Sequence, residues 1–230
     1  MYDSSETENR TMSKTTTSPA RLPRDQRRAQ LIDVAMDVFA DHGYAQTTMD
    51  EIAQRAAVSK PVLYQHFKNK RDLFFTLIDF QFDTLRDRVI ERMEAVDPAS
   101  NTADEETAYQ AVCGVFDFVA EPRGLYRLIL DSSMDEPEEL EARKERFVSQ
   151  MVEAVSPYIL DNSILDPASS KFITRGIASV VMFLATRWAE EHVPGRGGAE
   201  PIPLEKAVEH TVRFVAYGAI GFDLSNNPSA

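Results

Sequence analysis

Four polar side chains of different chemistry lie within seven residues of one another: Lys60, Tyr64, Gln65 and His66. Their spacing predicts that all four lie on the outer side of one short helix, whose opposite side would be apolar. A cation, a phenol, an amide and an imidazole together can donate to phosphates and to base edges. This is the chemistry of a helix that lies in the major groove of DNA.

The residues around these four predict the helix that carries them. Ser59 offers a hydroxyl N-cap, and Pro61 falls in the first turn, where no backbone donor is needed. Leu63 and Phe67 turn inward, which leaves the polar side chains outside. We therefore predict a short exposed helix that begins after Ser59.

A second short helix precedes it. Thr47 and Thr48 offer hydroxyl caps, and apolar residues recur at helical spacing from Met49 to Ala56. Ala56, Ala57 and Val58 are compact enough for a close corner between the two helices. The predicted arrangement is a helix-turn-helix, with the second helix as the recognition helix.

These residues resemble the DNA-binding domain of the TetR family of transcriptional regulators. VSKPVLYQHFKNKRDLF is similar to the family's signature across the recognition helix, and Arg27 to Gly43 matches its first helix. The resemblance covers roughly residues 24 to 75. It implies an all-α fold of about nine helices, a homodimer, a double-stranded DNA operator and a small apolar ligand. Many relatives carry glycine where Pro61 stands, so Pro61 must contact DNA by its ring or not at all.

The resemblance and the side-chain chemistry together give a candidate DNA site. Lys60 is the predicted base-edge contact, because a lysine can donate to guanine O6 and N7. Tyr64, His66 and Lys70 resemble the family's phosphate contacts, and Thr48 is expected to donate to a phosphate. The full set is Arg27, Thr47, Thr48, Ser59, Lys60, Pro61, Tyr64, Gln65, His66 and Lys70.

The sequence does not predict an enzyme. No two of the four histidines have the spacing of a metal-binding helix, and Cys113 is the only cysteine. Gly195, Gly197 and Gly198 lack the preceding strand that a phosphate-binding glycine motif requires. We expect no catalytic site, no metal and no cofactor.

The charge of the chain is unevenly distributed. The 230 residues carry a net charge of −12. Residues 1–75 hold 11 Lys and Arg against 10 Asp and Glu, whereas residues 76–230 hold 14 against 27. The cations of the first part are grouped around the predicted DNA site, and phosphate neutralisation needs only such local cations. Residues 1–23 contain no apolar segment of the kind found in a signal peptide, so a cytoplasmic protein without membrane association is expected.

Three regions follow from the pattern along the chain. Residues 1–23 are rich in Ser, Thr and Glu and predict a disordered tail. Residues 24–70 form the helix-turn-helix domain, and residues 71–230 a ligand-binding and dimerisation domain. A long apolar stripe from Leu73 to Met93 predicts a fourth helix that connects the two domains.

The last two predicted helices, Pro167 to about His192 and Leu204 to Phe222, are apolar over more than one stripe. Such a helix can bury a second face against a partner, although ordinary core packing would give the same pattern. TetR relatives dimerise through these two helices, so we predict a dimer interface there. Its candidate residues are Val180, Leu184, Val208, Val212, Val215 and Ala219.

The second domain is also rich in Met and aromatic residues, which commonly line an apolar pocket. The candidate effector site comprises Phe116, Tyr126, Ile129, Met182 and Trp188. LPRDQRR and GLYRLIL are similar to segments of the fatty-acid-synthesis (FasR-type) regulators of the TetR family. That resemblance implies a long-chain acyl-CoA effector and a repressor in control of lipid synthesis. The competing hypothesis is a repressor of a drug-efflux or catabolic operon, because the acidic surplus favours a cationic or aromatic ligand.

Overall fold

The computed structural model describes residues 22–100, 102–121, 126, 137–160, 166–192 and 202–220. The prediction of an all-helical fold is confirmed for these residues, which form eight helices and no strand. The segment over residues 124–134, which includes GLYRLIL, lies outside the described residues apart from Tyr126, as does the predicted tail up to residue 21. The helices are α1 (Arg24–Gln46), α2 (Met49–Arg55), α3 (Lys60–His66), α4 (Lys70–Glu94), α5 (Ala103–Val119), α6 (Pro137–Leu160), α7 (Pro167–Glu191) and α8 (Leu204–Ile220).

Helices α1 to α3 are joined by short, tight turns. Helix α1 includes a residue with a non-helical backbone, Gly43, with φ 71°. The hydroxyl of Thr48 accepts a hydrogen bond from the backbone N–H of Glu51 at the start of α2. The corner between α2 and α3 contains Ala57 at φ 53°, a left-handed conformation that few non-glycine residues adopt. These turns set the angle at which α3 leaves the domain.

Helix α4 belongs to both parts of the molecule. At its start, Phe74 packs edge-on against Phe39 of α1, with ring centroids 5.2 Å apart, and against Tyr44 at 4.8 Å. Its buried side continues to Met93, at the far end. The boundary predicted between residues 70 and 71 therefore lies in the first turn of a helix that both parts share. A movement of α4 would be transmitted to α1 through this aromatic cluster.

The remaining helices surround the second half of α4. Arg88 bonds Glu121 at 2.5 Å and Arg92 bonds Asp117, so α5 runs antiparallel to α4. Gly114 makes this close approach possible, because a Cβ at that position would lie 3.1 Å from the Cα of Val89.

Helix α6 runs parallel to α4. Arg71 bonds Glu139 at 2.5 Å, and the rings of Phe82 and Phe147 stack with centroids 4.5 Å apart. Helices α7 and α8 pack against α5, and α7 also packs against α6. Because α4 contacts both α5 and α6, it forms part of the wall of any cavity between these helices.

Candidate nucleic-acid interface and effector cavity

Helix α3 is attached to the domain by its apolar side. Leu63 is fully buried and Phe67 is 1 % exposed. On the opposite side Lys60, Pro61 and Gln65 are exposed, and Tyr64 is 48 % exposed. With about half of its side chain exposed to solvent, Tyr64 contributes little to the core of its own chain. The structure therefore presents these four predicted side chains together on one free surface.

The cations around α3 are held in defined positions. Lys60 Nζ lies 2.6 Å from Oδ2 of Asp50, and both side chains are more than half exposed. Lys70 Nζ donates to the carbonyl of Tyr44 at 2.8 Å and lies 4.4 Å from the centre of the Tyr44 ring. Lys60 must therefore release Asp50 before it can bind DNA. Lys70 adds a positive charge beside α3 and also caps a backbone carbonyl near the C-terminal end of α1.

Arg28, which is not among the predicted contacts, has a direct role in positioning α3. Its guanidinium donates to the carbonyl of His66 at 2.9 Å and lies 4.4 Å above the ring of Phe67. The neighbouring Arg27, a predicted contact, bonds Gln30 at 2.6 Å. Cations at the C-terminal end of a helix stabilise its free carbonyls. Only the run of three arginines at positions 24, 27 and 28 signalled this role in advance.

Two hydroxyls differ from what the sequence predicts: Thr47 as a DNA contact, and Ser59 as a helix cap. Thr47 is 1 % exposed, and its hydroxyl donates to the carbonyl of Gly43 at 2.8 Å. It lacks the surface needed to reach DNA, so its place among the contacts is corrected to a structural one. Ser59 stands at the N-cap of α3 and is exposed, but its side chain makes no capping hydrogen bond. Its hydroxyl thus faces the solvent.

His66 is half-buried among three arginines. Burial lowers its pKa from the ordinary value, and the charges of Arg24, Arg28 and Arg27 lower it further. The imidazole is therefore kept neutral in free protein to a lower pH than usual. A DNA phosphate placed beside the same group would reverse the effect, since a nearby negative charge favours the protonated form.

We expect DNA affinity to rise as pH falls from 8 to 6, with His66 taking up a proton on binding. On this expectation the DNA phosphate raises the His66 pKa above its free-state value, so lower pH favours the complex. Anisotropy titrations at several pH values check this, with His66→Gln expected to flatten the profile. His42→Gln is the control, because His42 is exposed and faces Glu51 at 3.0 Å. An equal slope in wild type and His66→Gln would contradict the assignment.

A large apolar cavity lies between α4, α5, α6, α7 and α8, with a volume of about 1110 Å³. Helix α4 contributes four apolar side chains to its wall: Phe82, Leu85, Val89 and Met93. Such a volume exceeds the usual range of drug-sized ligand pockets. The helix that begins beside the recognition helix therefore also lines the cavity.

The charges of the cavity wall are segregated. Lys144 is the one cation among the described lining residues, whereas Glu94, Asp104 and Glu105 lie where α4 ends and α5 begins. Because α4 and α6 run parallel, Lys144 lies near the level of Phe82, the neighbour of Phe147. Twelve residues of α4 separate Phe82 from Glu94, which is about 18 Å along a helix. The wall between these two charged ends is mostly apolar.

The structure brings only part of the predicted effector site to this cavity. Tyr126 and Met182 line it. Phe116 and Trp188 do not; their rings pack on each other with centroids 6.0 Å apart, and the Trp188 indole donates to the carbonyl of Ile202 at 2.8 Å. Both are thus structural, and Ile129 lies outside the described residues. The apolar stripe of α4 is visible in the sequence, but periodicity alone predicts a connecting helix and not a cavity wall.

The predicted dimer residues are also divided. Val208 is 3 % exposed, so it belongs to the core of its own chain and is corrected accordingly. Val180, Leu184, Val212 and Val215 are half-buried, and the side chain of Ala219 lies outside the described residues. Among the described side chains of α7 and α8, the most exposed large apolar ones are not predicted dimer residues: Phe172, Phe183 and Phe214.

Comparison with known proteins places these features in a family. The family model for bacterial regulatory proteins of the tetR family matches residues 31–77. The HTH-type transcriptional activator FasR of Mycolicibacterium smegmatis is 34% identical over 200 residues, covering 87% of this chain and 85% of that protein. The fatty acid metabolism regulator protein of Bacillus subtilis is 38% identical over 79 residues, 34% of this chain and 39% of its own.

A solved structure shares the fold at low sequence identity. The fatty acid degradation regulator FadR from Bacillus halodurans aligns with a TM-score of 0.64 and 19% identity, covering 82% of this chain and 94% of that one. At that identity the likeness concerns the arrangement of helices alone. It extends well beyond the DNA-binding region matched by the family model.

Proposed function

The chain belongs to the TetR family of transcriptional regulators, and from that premise we propose that it binds a palindromic operator as a homodimer and is released by a long-chain acyl-CoA. The observation that carries the proposal is the apolar cavity whose wall includes α4. A ligand in that cavity contacts the helix that supports the DNA-binding domain. In this proposal the protein acts in the cytoplasm, on double-stranded DNA.

The DNA part of the proposal rests on the exposed side of α3. Lys60 would contact a guanine edge, while Tyr64, Gln65, His66 and Lys70 would contact the backbone or neighbouring bases. A recognition helix of seven residues reads few base pairs. Two copies in one dimer, about 34–36 Å apart or a multiple of that, would read successive major grooves on one side of the duplex.

The effector part rests on the shape and charge of the cavity. A long acyl chain would fill the apolar stretch between Lys144 and the acidic end at Glu94. The phosphates of the CoA group would lie near Lys144, because Glu94, Asp104 and Glu105 repel anions. The name of the M. smegmatis relative, FasR, and the fatty-acid regulators among the other relatives agree with an acyl ligand.

The acidic end of the cavity favours a second candidate. Glu94, Asp104 and Glu105 would attract a cationic amphiphile whose apolar part occupies the same space. That ligand class would make the protein a regulator of a drug-efflux or catabolic operon. The two candidates predict opposite responses to charge: the acyl-CoA hypothesis needs Lys144, and the cationic hypothesis needs the three carboxylates.

The direction of regulation is a separate matter. The repressor predicted from the sequence stays a prediction, and the M. smegmatis relative, which covers 87% of this chain, carries the name of an activator. Release from DNA by the effector would relieve a repressor or silence an activator. The proposed physical event is the same in both cases.

Filling the cavity should block the effector without affecting DNA binding. Ala111 and Ala178 both line the cavity, so Ala111→Leu with Ala178→Leu would occupy part of the space. We expect the double variant to lose most of the thermal stabilisation that palmitoyl-CoA gives the wild type. Ala168→Leu is the matched control, because Ala168 is exposed on α7 and is not a lining residue.

Thermal unfolding with palmitoyl-CoA, palmitate and a cationic dye distinguishes the candidates. A ligand that binds the folded state raises the midpoint in proportion to its affinity. Stabilisation by palmitoyl-CoA that Lys144→Glu abolishes supports the acyl-CoA effector. Stabilisation by the dye alone, lost when Glu94, Asp104 and Glu105 are replaced by Gln, would establish the cationic ligand instead.

A further inference from the structure

The hydroxyl of Thr174, on α7, is buried without a hydrogen bond. The side chain is 1 % exposed, and its Oγ1 bonds none of the described residues. Three other hydroxyls of α7 and α8, those of Ser179, Thr186 and Thr211, each donate to the backbone carbonyl four residues earlier at 2.8 to 2.9 Å. The helix thus offers an acceptor that Thr174 does not use. A buried hydroxyl without a partner is costly, and this one points to a partner outside its helix.

Thr174 belongs to the wall of the effector cavity. Its level along the cavity follows from two pairs between α6 and α7. Lys171 Nζ lies 2.6 Å from Oε1 of Glu153, and the Arg175 guanidinium donates to the hydroxyl of Ser149 at 3.1 Å. The two helices are therefore antiparallel, and Thr174 lies near the level of Ser149.

The charge nearest to Thr174 along the cavity wall is positive. Lys144 lines the cavity five residues before Ser149 on α6, which is about 7.5 Å along the axis. Glu94, at the acidic end, lies about 18 Å from the level of Phe147 and hence roughly 15 Å from that of Ser149. An oxygen that carries partial or full negative charge is therefore favoured beside Thr174, and an ammonium group is not.

We propose that Thr174 anchors the effector by donating a hydrogen bond from its hydroxyl to the acyl carbonyl oxygen. The inference rests on the proposed function, since it assigns a polar contact of the same ligand. A threonine in a helix has two accessible χ1 rotamers, so rotation about one bond turns the hydroxyl towards the cavity. The other lining residues at this level are apolar: Phe147, Val148, Met151 and Ile177. They would hold an acyl chain at any depth, whereas Thr174 fixes where the chain begins.

The chemistry recognised is a carbonyl oxygen in apolar surroundings. The thioester of an acyl-CoA and the carboxylate of a free fatty acid both supply one. A site built to hydrogen-bond a ligand group discriminates against an analogue that lacks it, because the buried polar group is then left unpaired. Thr174 would thus distinguish an acyl ligand from a hydrocarbon of the same length.

The test removes the hydroxyl and the carbonyl separately and together, as a double-mutant cycle. Thr174→Val deletes the hydroxyl and keeps the branched shape, and Thr174→Ser keeps the hydroxyl. On the ligand side, S-hexadecyl-CoA has a methylene where palmitoyl-CoA has its carbonyl. Thr211→Val is the matched control, because Thr211 is 3 % exposed, lies outside the cavity wall and already donates to the carbonyl of Ala207. Calorimetric titration gives the affinities for both CoA compounds and for palmitate.

We expect wild type to bind palmitoyl-CoA roughly 2- to 12-fold more tightly than S-hexadecyl-CoA, the range of one neutral hydrogen bond. Thr174→Val should lose this preference, while Thr174→Ser and Thr211→Val should keep it. Without ligand, Thr174→Val should unfold at a midpoint about 2–4 °C higher than wild type, because a buried unpaired hydroxyl is gone. A threonine with a purely structural role would not give a more stable protein that binds acyl ligands more weakly.

Each other outcome decides the question. A wild type that does not prefer palmitoyl-CoA to S-hexadecyl-CoA, a comparison that needs no variant, would overturn the inference and leave the acyl-CoA effector standing. The same preference in wild type and Thr174→Val would do so too. If only palmitate binds, and Thr174→Val but not Thr211→Val weakens it, the anchor holds for a free fatty acid and the CoA part of the proposed function is wrong. If none of the three compounds binds wild type, the inference is overturned together with the proposed effector.

Discussion

Lys60→Ala is expected to lower affinity for the true operator by about 1–3 kcal/mol, roughly 5- to 150-fold, and to relax preference at one base pair in each half-site. The reason is the position of Lys60 at the start of α3, where its exposed ammonium can exchange Asp50 for a guanine edge. In free protein that ammonium lies 2.6 Å from Oδ2 of Asp50. A solvent-exposed pair of this kind contributes little to stability. The variant should therefore fold normally, and its defect should appear only with DNA.

The matched control is Lys171→Ala. Lys171 lies on α7, and its Nζ lies 2.6 Å from Glu153 in a pair as exposed as that of Lys60. It has the same chemistry far from α3, so its DNA affinity should equal that of wild type. Binding is measured against every single-base variant of an operator selected from random duplexes. Equal weakening on all of them would make Lys60 a phosphate contact and not a base contact.

Gly114→Leu is expected to destabilise the fold by about 1–3 kcal/mol, the usual cost of overpacking a tight core. A Cβ at Gly114 would lie 3.1 Å from both the Cα and the Cγ2 of Val89. Backbone cannot move aside as a side-chain tip can, so α4 and α5 would have to separate. Leucine is a good helix former, and the loss would therefore report the contact and not helix propensity. A loss of about 1–3 kcal/mol is a substantial fraction of the roughly 5–15 kcal/mol by which an ordinary domain is stable.

Gly176→Ala is the control for this change. Gly176 is also a helical glycine, but a Cβ there meets nothing within 4 Å. Alanine should then raise the free energy of unfolding by up to about 1 kcal/mol through helix propensity alone. Urea unfolding followed by circular dichroism measures both variants. A Gly114→Leu protein as stable as wild type would show that α4 and α5 do not depend on this close approach.

The helix-turn-helix could be predicted because its signals are local. Pro61, Leu63 and Phe67 each specify one position of a short helix that begins after Ser59, and none depends on distant parts of the chain. Thr47 and Thr48 show what local signals cannot predict, which is the burial of each side chain. Both hydroxyls suit an N-cap, and only the packing of the domain buries the first and leaves the second exposed.

The cavity and the outer face required the structure because helical periodicity does not say what a face contacts. Val208 and Phe214 both lie on apolar stripes of α8, yet the first is 3 % exposed and the second 64 %. Trp188 looked like a ligand contact because it is aromatic, but it packs against Phe116. The side chains that enclose space come from five helices, and their meeting is a property of tertiary packing.

The central claim is that effector and operator bind the same protein antagonistically. Its most direct test is fluorescence anisotropy of the protein–operator complex, titrated with palmitoyl-CoA. The proposal predicts release of DNA at micromolar concentrations, no release from the variant with Ala111→Leu and Ala178→Leu, and weaker palmitoyl-CoA binding in the presence of operator by the same factor. Operator affinity unchanged at saturating palmitoyl-CoA would contradict it.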